Sequence, residues 1–347
     1  MFRYKAAFAL FFLAAFVSAQ VREGKPVTLL ASVTDSRGRF VDDLQQQDFE
    51  LREDGKDQAI TEFKTFRNIA SSVGVLVDVS GSMRTRLTDA TNAIDDFVGD
   101  LHKDDELFLM PFADQPRIAS DYGDGRSEFQ RELWRLTASG NPALYDSIVE
   151  AVRKLRLGHE SRRVLLIVGH GGDLVSGASP AAAIRAIRES DVLVYCLGIS
   201  APFGTPFRES SNNFAGQIVI SQPGRDPQNP FPVPDGRTIP FPIPGQPGPV
   251  PVPVPRRSDR IEDTVDMNAL QALAEAGGGR AWRVRDRQGR GEPLERILAQ
   301  IRSELRSQYA IGFAPDHPVK DNQWHSVTIR VKESGYSVRS RKDYMGK

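Results

Sequence analysis

Three oxygen-bearing side chains, Asp78, Ser80 and Ser82, fall within five consecutive residues. Oxygen ligands so closely spaced suit a hard divalent cation such as Mg²⁺, with water completing the shell. Farther along, His170 and Asp173 stand on one short Gly-rich stretch. An imidazole added to oxygen ligands suits a softer ion such as Zn²⁺, Mn²⁺ or Ni²⁺. Ser80, His170 and Asp173 are also the residue types of a hydrolytic triad. However, the serine is not on a G-x-S-x-G elbow, and no oxyanion-hole element is recognisable. The chain is therefore read as non-enzymatic, with no catalytic residue. His102, His159, His317 and His325 show no ligand spacing and are read as surface residues.

These residues need elements to hold them. Val73 to Val77 is a run of small and β-branched apolar residues ending at Asp78. It reads as a buried parallel strand, and the Leu87, Ala90, Ile94, Phe97, Val98 stripe after it reads as a helix. Glu106–Phe112, Val164–Val168 and Val192–Ile199 are further buried strands, and Arg117–Ser120 a short edge strand. Helical stripes separate them, at Phe129–Leu136, Leu144–Leu155 and 180–189. Asn141-Pro142 is a helix-start pair, Asn as cap and Pro at the first helical position. After a break, Met267–Ala274 and Leu294–Leu305 add two more helical stripes, with Ala281-Trp282 as a last short strand. Strands alternating with helices imply an α/β fold, a doubly wound and mostly parallel sheet. In such a sheet ligands sit at the carboxyl ends of the strands, where Asp78 lies.

Asp78-Val79-Ser80-Gly81-Ser82 resembles the D-x-S-x-S signature of von Willebrand factor type A domains, which opens that family's metal-ion-dependent adhesion site. Ala143-Leu144-Tyr145-Asp146 and Gly171-Gly172-Asp173 resemble two further family segments in the same order. The resemblance implies a Rossmann-like type A domain over about 71–307 and a presumed protein-binding role. It also exposes two departures. The family has a metal-binding Thr before Ala-Leu-Tyr-Asp, where this chain has Pro142. It has an Asp before Gly-Gly-Asp, where this chain has His170. Three readings follow. Asp78, Ser80 and Ser82 keep a Mg²⁺- or Mn²⁺-like ion, or His170 and Asp173 join them around a softer one. In the third no metal binds, a serine caps the helix, and backbone amides hold Asp78.

The flanks are β-like. Val27, Leu29, Ala31 and Val33 alternate, as do Val327, Ile329 and Val331. Asp54-Gly55 is a tight-hairpin signal after Phe49 and Leu51, with Ile60–Phe66 as the returning strand. Glu333-Ser334-Gly335 turns Tyr336 and Val338 back in the same way. The segments 20–70 and 308–347 are expected to pack together as one small β-module, since neither covers its own edges. Phe40–Leu44, Asp48–Gly55 and Leu305–Phe313 resemble the secreted VWFA-related family of acidobacterial type.

Arg3 and Lys5, the apolar run Ala6–Val17 and the small residues Val17-Ser18-Ala19 read as a secretory signal over 1–19. The mature chain is expected in the periplasm or the medium. Thirteen of the 23 prolines fall between Pro223 and Pro255, so 201–260 is expected to be an extended or disordered Pro-rich insert. The single cysteine, Cys196, reads as a buried thiol. Lys plus Arg and Asp plus Glu both number 45, which points away from a nucleic-acid surface. No segment is long and apolar enough to span a membrane. The expected function is protein binding through the loops bearing Met83, Asn141, Pro142 and His170. The alternative is a metal-independent scaffold acting through the insert and the β-module.

Overall fold

The computed structural model describes residues 26–66, 69–200, 265–286, 289–315 and 323–346. The expected signal segment 1–19, the expected Pro-rich insert 201–260 and His317 lie outside them. In chain order come β1 (Val27–Thr34), β2 (Phe49–Glu53), β3 (Lys56–Gln58) and β4 (Ile60–Thr65). The alternating region runs β5 (Ser71–Asp78), α1 (Leu87–Gly99), β6 (Glu106–Phe112), α2 (Arg126–Trp134), α3 (Leu144–Leu155), β7 (Arg162–Gly169), α4 (Pro180–Arg188) and β8 (Val192–Gly198). It resumes with α5 (Met267–Ala276), β9 (Arg280–Arg283) and α6 (Leu294–Arg306). The chain then returns to β10 (Gln308–Phe313), β11 (Trp324–Val331), β12 (Ser337–Ser340) and β13 (Asp343–Met345).

The parallel sheet has the order β6-β5-β7-β8-β9, and all eight residues of interior strand β5 are buried. Side chains alternate across a strand, so β5 feeds two cores. Val73, Val75 and Val77 pack with α1, α2 and α6, while Leu76 packs with α3, α4 and α5. This is the doubly wound α/β sheet expected, with Asp78 at the carboxyl end of interior strand β5. Arg117–Ser120 forms no strand; single bridges at Ser120 and Pro116 guard the β6 edge instead.

The flanking strands form two four-stranded antiparallel sheets, β12-β1-β10-β4 and β13-β11-β2-β3, around a shared core of Leu29, Val33, Phe49, Leu51, Tyr309 and Ile329. N- and C-terminal segments thus make one module. Two details depart from expectation. The hairpin return after Asp54-Gly55 is β3, not Ile60–Phe66; Asp54 (φ 47°) and Gly55 (φ 81°) both take the left-handed conformation this tight turn requires. Likewise β12 does not fold back on β11 but pairs with β1, and β13 pairs with β11. Each pair, β3 with β4 and β12 with β13, is nearly continuous chain that passes from one sheet to the other. Such crossings turn the corners of a sandwich and shorten its open edges.

The module meets the amino-end side of the parallel sheet through buried charge. Glu304 of α6 is 1% exposed; it accepts from Ser32 Oγ of β1 (2.7 Å) and pairs with Arg339 of β12. Arg162, at the start of β7, donates from Nε to Ser71 Oγ (2.7 Å) and from its other nitrogens to the carbonyls of Ile69 (3.0 Å) and Leu305. Its guanidinium lies over the Phe66 ring. Arg188 of α4 pairs with Asp343 and stacks on Trp324.

Candidate functional site

Three loops converge at the carboxyl end of β5 and β7. The first leaves β5 through a 3₁₀ turn, Gly81–Thr85. Asp78 closes it: Oδ1 accepts the Ser80 amide at 2.8 Å. Neither serine side chain caps the turn; Ser80 Oγ and Ser82 Oγ bond each other at 2.8 Å. The turn drives Met83 inward to zero exposure, so this side chain belongs to the core and not to a partner-facing surface.

The second loop precedes α3, which begins at Leu144 and not at Pro142. The Pro142 carbonyl accepts the Leu174 amide (2.8 Å) and the Ala143 amide donates to the Ala113 carbonyl (2.8 Å), so the backbone here is spent on neighbouring loops. Pro142 is buried, another expected contact residue lying inside, whereas Asn141 is exposed. Asp114 Oδ1 holds Asn141 through its amide (3.0 Å) and its side-chain nitrogen (3.3 Å).

The third loop follows β7. His170 Nδ1 donates to Asp78 Oδ2 at 2.6 Å, and both residues are buried. His170 is therefore also no surface contact. Its Nε2 is buried without a hydrogen-bond partner among the described residues. The ring lies against Gly172, where an added Cβ would come 2.5 Å from Nε2. Asp173 turns away from Asp78: its Oδ1 accepts the Tyr145 amide (3.3 Å) and the Ser176 hydroxyl. Asp146 accepts the amides of Gly177 (2.8 Å) and Ala178 (2.7 Å), fastening this loop to α3. Exposed Leu174 and Val175 are the apolar residues of the rim.

In an open α/β sheet the loops at the carboxyl ends of the strands are where ligands usually sit, but the fold by itself assigns no activity. Residues 73–172 match the family model of the von Willebrand factor type A domain, and the chain contains such a domain. No curated protein matches the chain. Solved structures similar to it include the conserved hypothetical protein BatB from Bacteroides thetaiotaomicron, at 17% identity over 68% of this chain and 97% of that one, TM-score 0.43. A von Willebrand factor type A protein from Catenulispora acidiphila is 13% identical over 94% of this chain and 75% of its own, TM-score 0.43. Proximal thread matrix protein 1 from the mussel byssus, with a zinc-occupied MIDAS motif, is 15% identical over 40% and 38%, TM-score 0.36. Among the described residues no helix is long and apolar enough to cross a membrane.

The metal that type A domains commonly hold needs oxygen atoms left open to it. Here Asp78 spends one oxygen on the Ser80 amide and the other on His170. Pro142 offers no side-chain oxygen, and the Asp173 oxygen that bonds is committed to Tyr145 and Ser176. The described residues contain no cluster of three His, Cys, Asp or Glu side chains placed to share an ion. As arranged, both Asp78 oxygens already bond protein groups and one expected ligand position is a proline, so the Ser80 and Ser82 hydroxyls are what the expected ligand set leaves uncommitted to other parts of the protein. His325, expected at the surface, is buried in the β-module and donates to Asp54 (2.8 Å). Sequence reasoning also passed over Asp114, Ser176, Leu174 and Val175. Only the two aliphatic residues on a Gly-rich loop gave any signal.

Proposed function

We propose that the chain is an exported, non-enzymatic binding module that engages a protein partner through its carboxyl-end loops without a metal ion. One observation carries the reading. The carboxylate that would face a cation is already bonded by His170, so the loops are closed on their own side chains. What they present outward is Ser82, Asn141, Leu174 and Val175. Of these, exposed Leu174 and Val175 supply the apolar area that a protein partner could cover. Export rests on the signal-like segment 1–19. The proposed organisation is a type A domain over 71–307 with the β-module of 20–70 and 308–347.

The test places a photo-crosslinking residue at Ser82, Asn141 or Leu174 of the full-length protein in its host, with Thr328 of the β-module as the control. The same cross-linked species from all three loop positions, and none from Thr328, is expected. Cross-links from Thr328 alone would instead support the scaffold role, and no cross-link from the loops would overturn the proposal.

A further inference from the structure

The edge strands of the two β-module sheets are not treated alike. β12 and β13 are tied to the type A domain, through Arg339 with Glu304 and Asp343 with Arg188. β3 has only three residues. β4 has six, with β10 on one side and no strand of the described residues on the other. Along β10, Thr65 stands opposite Tyr309, Lys64 opposite Ala310, Phe63 opposite Ile311 and Glu62 opposite Gly312. Just beyond, the Phe66 amide donates to the Gln308 carbonyl at 2.9 Å. Backbone bonds alternate along an antiparallel strand, so Lys64 and Glu62 turn theirs toward β10, while Phe63 and Thr65 turn theirs outward. Gln46 Nε2 takes the Ile60 carbonyl (2.8 Å), which limits the open stretch to Thr61–Thr65.

The side chains of this stretch complement their own reversed order. Phe63 is at the centre, half-buried against Phe49 (ring centroids 5.6 Å apart) where the core of the module meets the edge. Thr61 and Thr65 flank it, β-branched residues suited to a strand. Between them stand Glu62 and Lys64, paired at 2.5 Å with side chains 40% and 61% exposed. We propose that β4 pairs antiparallel with β4 of a second copy of this chain about a two-fold axis at Phe63, joining two four-stranded sheets across a dimer. Phe63 then faces Phe63, Thr61 faces Thr65, and Glu62 faces Lys64 of the second copy. The outward backbone of Phe63 and Thr65 restricts the register to steps of two residues. One step either way sets Glu62 against Glu62 or Lys64 against Lys64, and like charges directly opposite disfavour pairing. The two Glu62–Lys64 contacts are of the non-hydrogen-bonded kind, in which side chains stand closest. A lysine on an edge strand ordinarily blocks pairing with other chains; a second copy supplies the carboxylate that answers it. The contact is isologous and closes as a dimer. It uses no residue of the carboxyl-end loops and is independent of their partner.

The test is sedimentation equilibrium of residues 20–347 from micromolar to millimolar concentration, with urea denaturation of each variant to check its folding. A monomer–dimer equilibrium is expected. Lys64→Glu turns both cross-strand attractions into repulsions and should weaken the dimer about ten-fold. Glu62→Lys/Lys64→Glu exchanges the charges and should recover it. Thr65→Pro removes an outward N–H without touching the β10 ladder and should also weaken the dimer. Arg330→Glu on β11, an equal change of charge, should leave it as it was. If one β4 variant does not fold, the other two decide. A monomer at every concentration, a dimer indifferent to Lys64→Glu and Thr65→Pro, or failure of the exchanged pair to recover it would overturn the proposal.

Discussion

Asp78, at the carboxyl end of β5, and Glu304, on α6 against the β-module, are both 1% exposed. Burying a carboxylate is costly unless it is bonded, and the two are satisfied differently. Glu304 takes a guanidinium and a hydroxyl that both come from the β-module, so its burial joins two parts of the chain. Asp78 takes an imidazole and an amide from loops of its own domain, so its burial closes the site upon itself. The difference teaches where to look for each role. One side is fastened to a second module, and the other is internally satisfied and carries the rim proposed to meet a partner.

The largest expected effect comes from undoing the fastened side. Arg339→Ala leaves Glu304 buried with only hydroxyl support, and should cost about 3 kcal/mol in urea denaturation. A loss well below 1 kcal/mol would mean that the pair does not join the module to the domain. At the other side, Asp78→Ala strands His170 Nδ1 and His170→Ala strands Asp78. Each should cost about 2 kcal/mol, and the double variant clearly less than their sum. Additive losses would break the claim that the two residues act as a pair.

Acid and base should also tell parts of the molecule apart. Burial opposes charge on Asp54, but the bonds from His325 and Ser326 outweigh it and hold this carboxyl below its ordinary value. Its contribution is therefore present above the unfolded pKa and lost as pH falls through the folded one. Asp105, on the amino-end side, is raised by burial despite bonds from the Ser71 and His102 amides. Its sign is opposite: stability is highest below the unfolded pKa and declines as pH rises through the folded one. Asp105→Asn should flatten stability against pH between the ordinary carboxylate range and neutrality, while Asp54→Asn should flatten it only in acid. Identical profiles would refute the contrast. The smallest effect is at Cys196, whose burial raises the thiol pKa. Native protein should resist iodoacetamide, with labelling only on unfolding; rapid labelling would show that the second core is open.

Much of this was legible in advance. Strong periodic runs predicted β5 to β8 and their helices, because burial on both faces of a parallel sheet leaves few polar residues to confuse the pattern; the packing together of the N- and C-terminal strands followed instead from edges that neither segment could cover alone. The loops were read less well. Asn141-Pro142 has the chemistry of a helix start, but the bonds of Pro142 and Ala143 to neighbouring loops delay the helix to Leu144. Met83 follows a polar motif, and only the turn's geometry shows that it points inward. Two misses had a signal. His325 shares its parity with Val327 and Ile329, which places it on the inner face of β11. Glu304 falls in the apolar stripe of Ile297, Ile301 and Leu305, three residues after Ile301. A polar residue in register with a core face marks a buried bond whose partner lies far away in sequence.

The most direct test of the central claim is a thermal melt of residues 20–347 in chelator and then in Mg²⁺, Mn²⁺ or Zn²⁺, beside Asp78→Ala. An ion bound only by the folded protein raises its stability with the logarithm of concentration. The His170–Asp78 pairing predicts no shift with any ion at millimolar level. A metal-dependent rise that Asp78→Ala abolishes would contradict it and restore a working adhesion site.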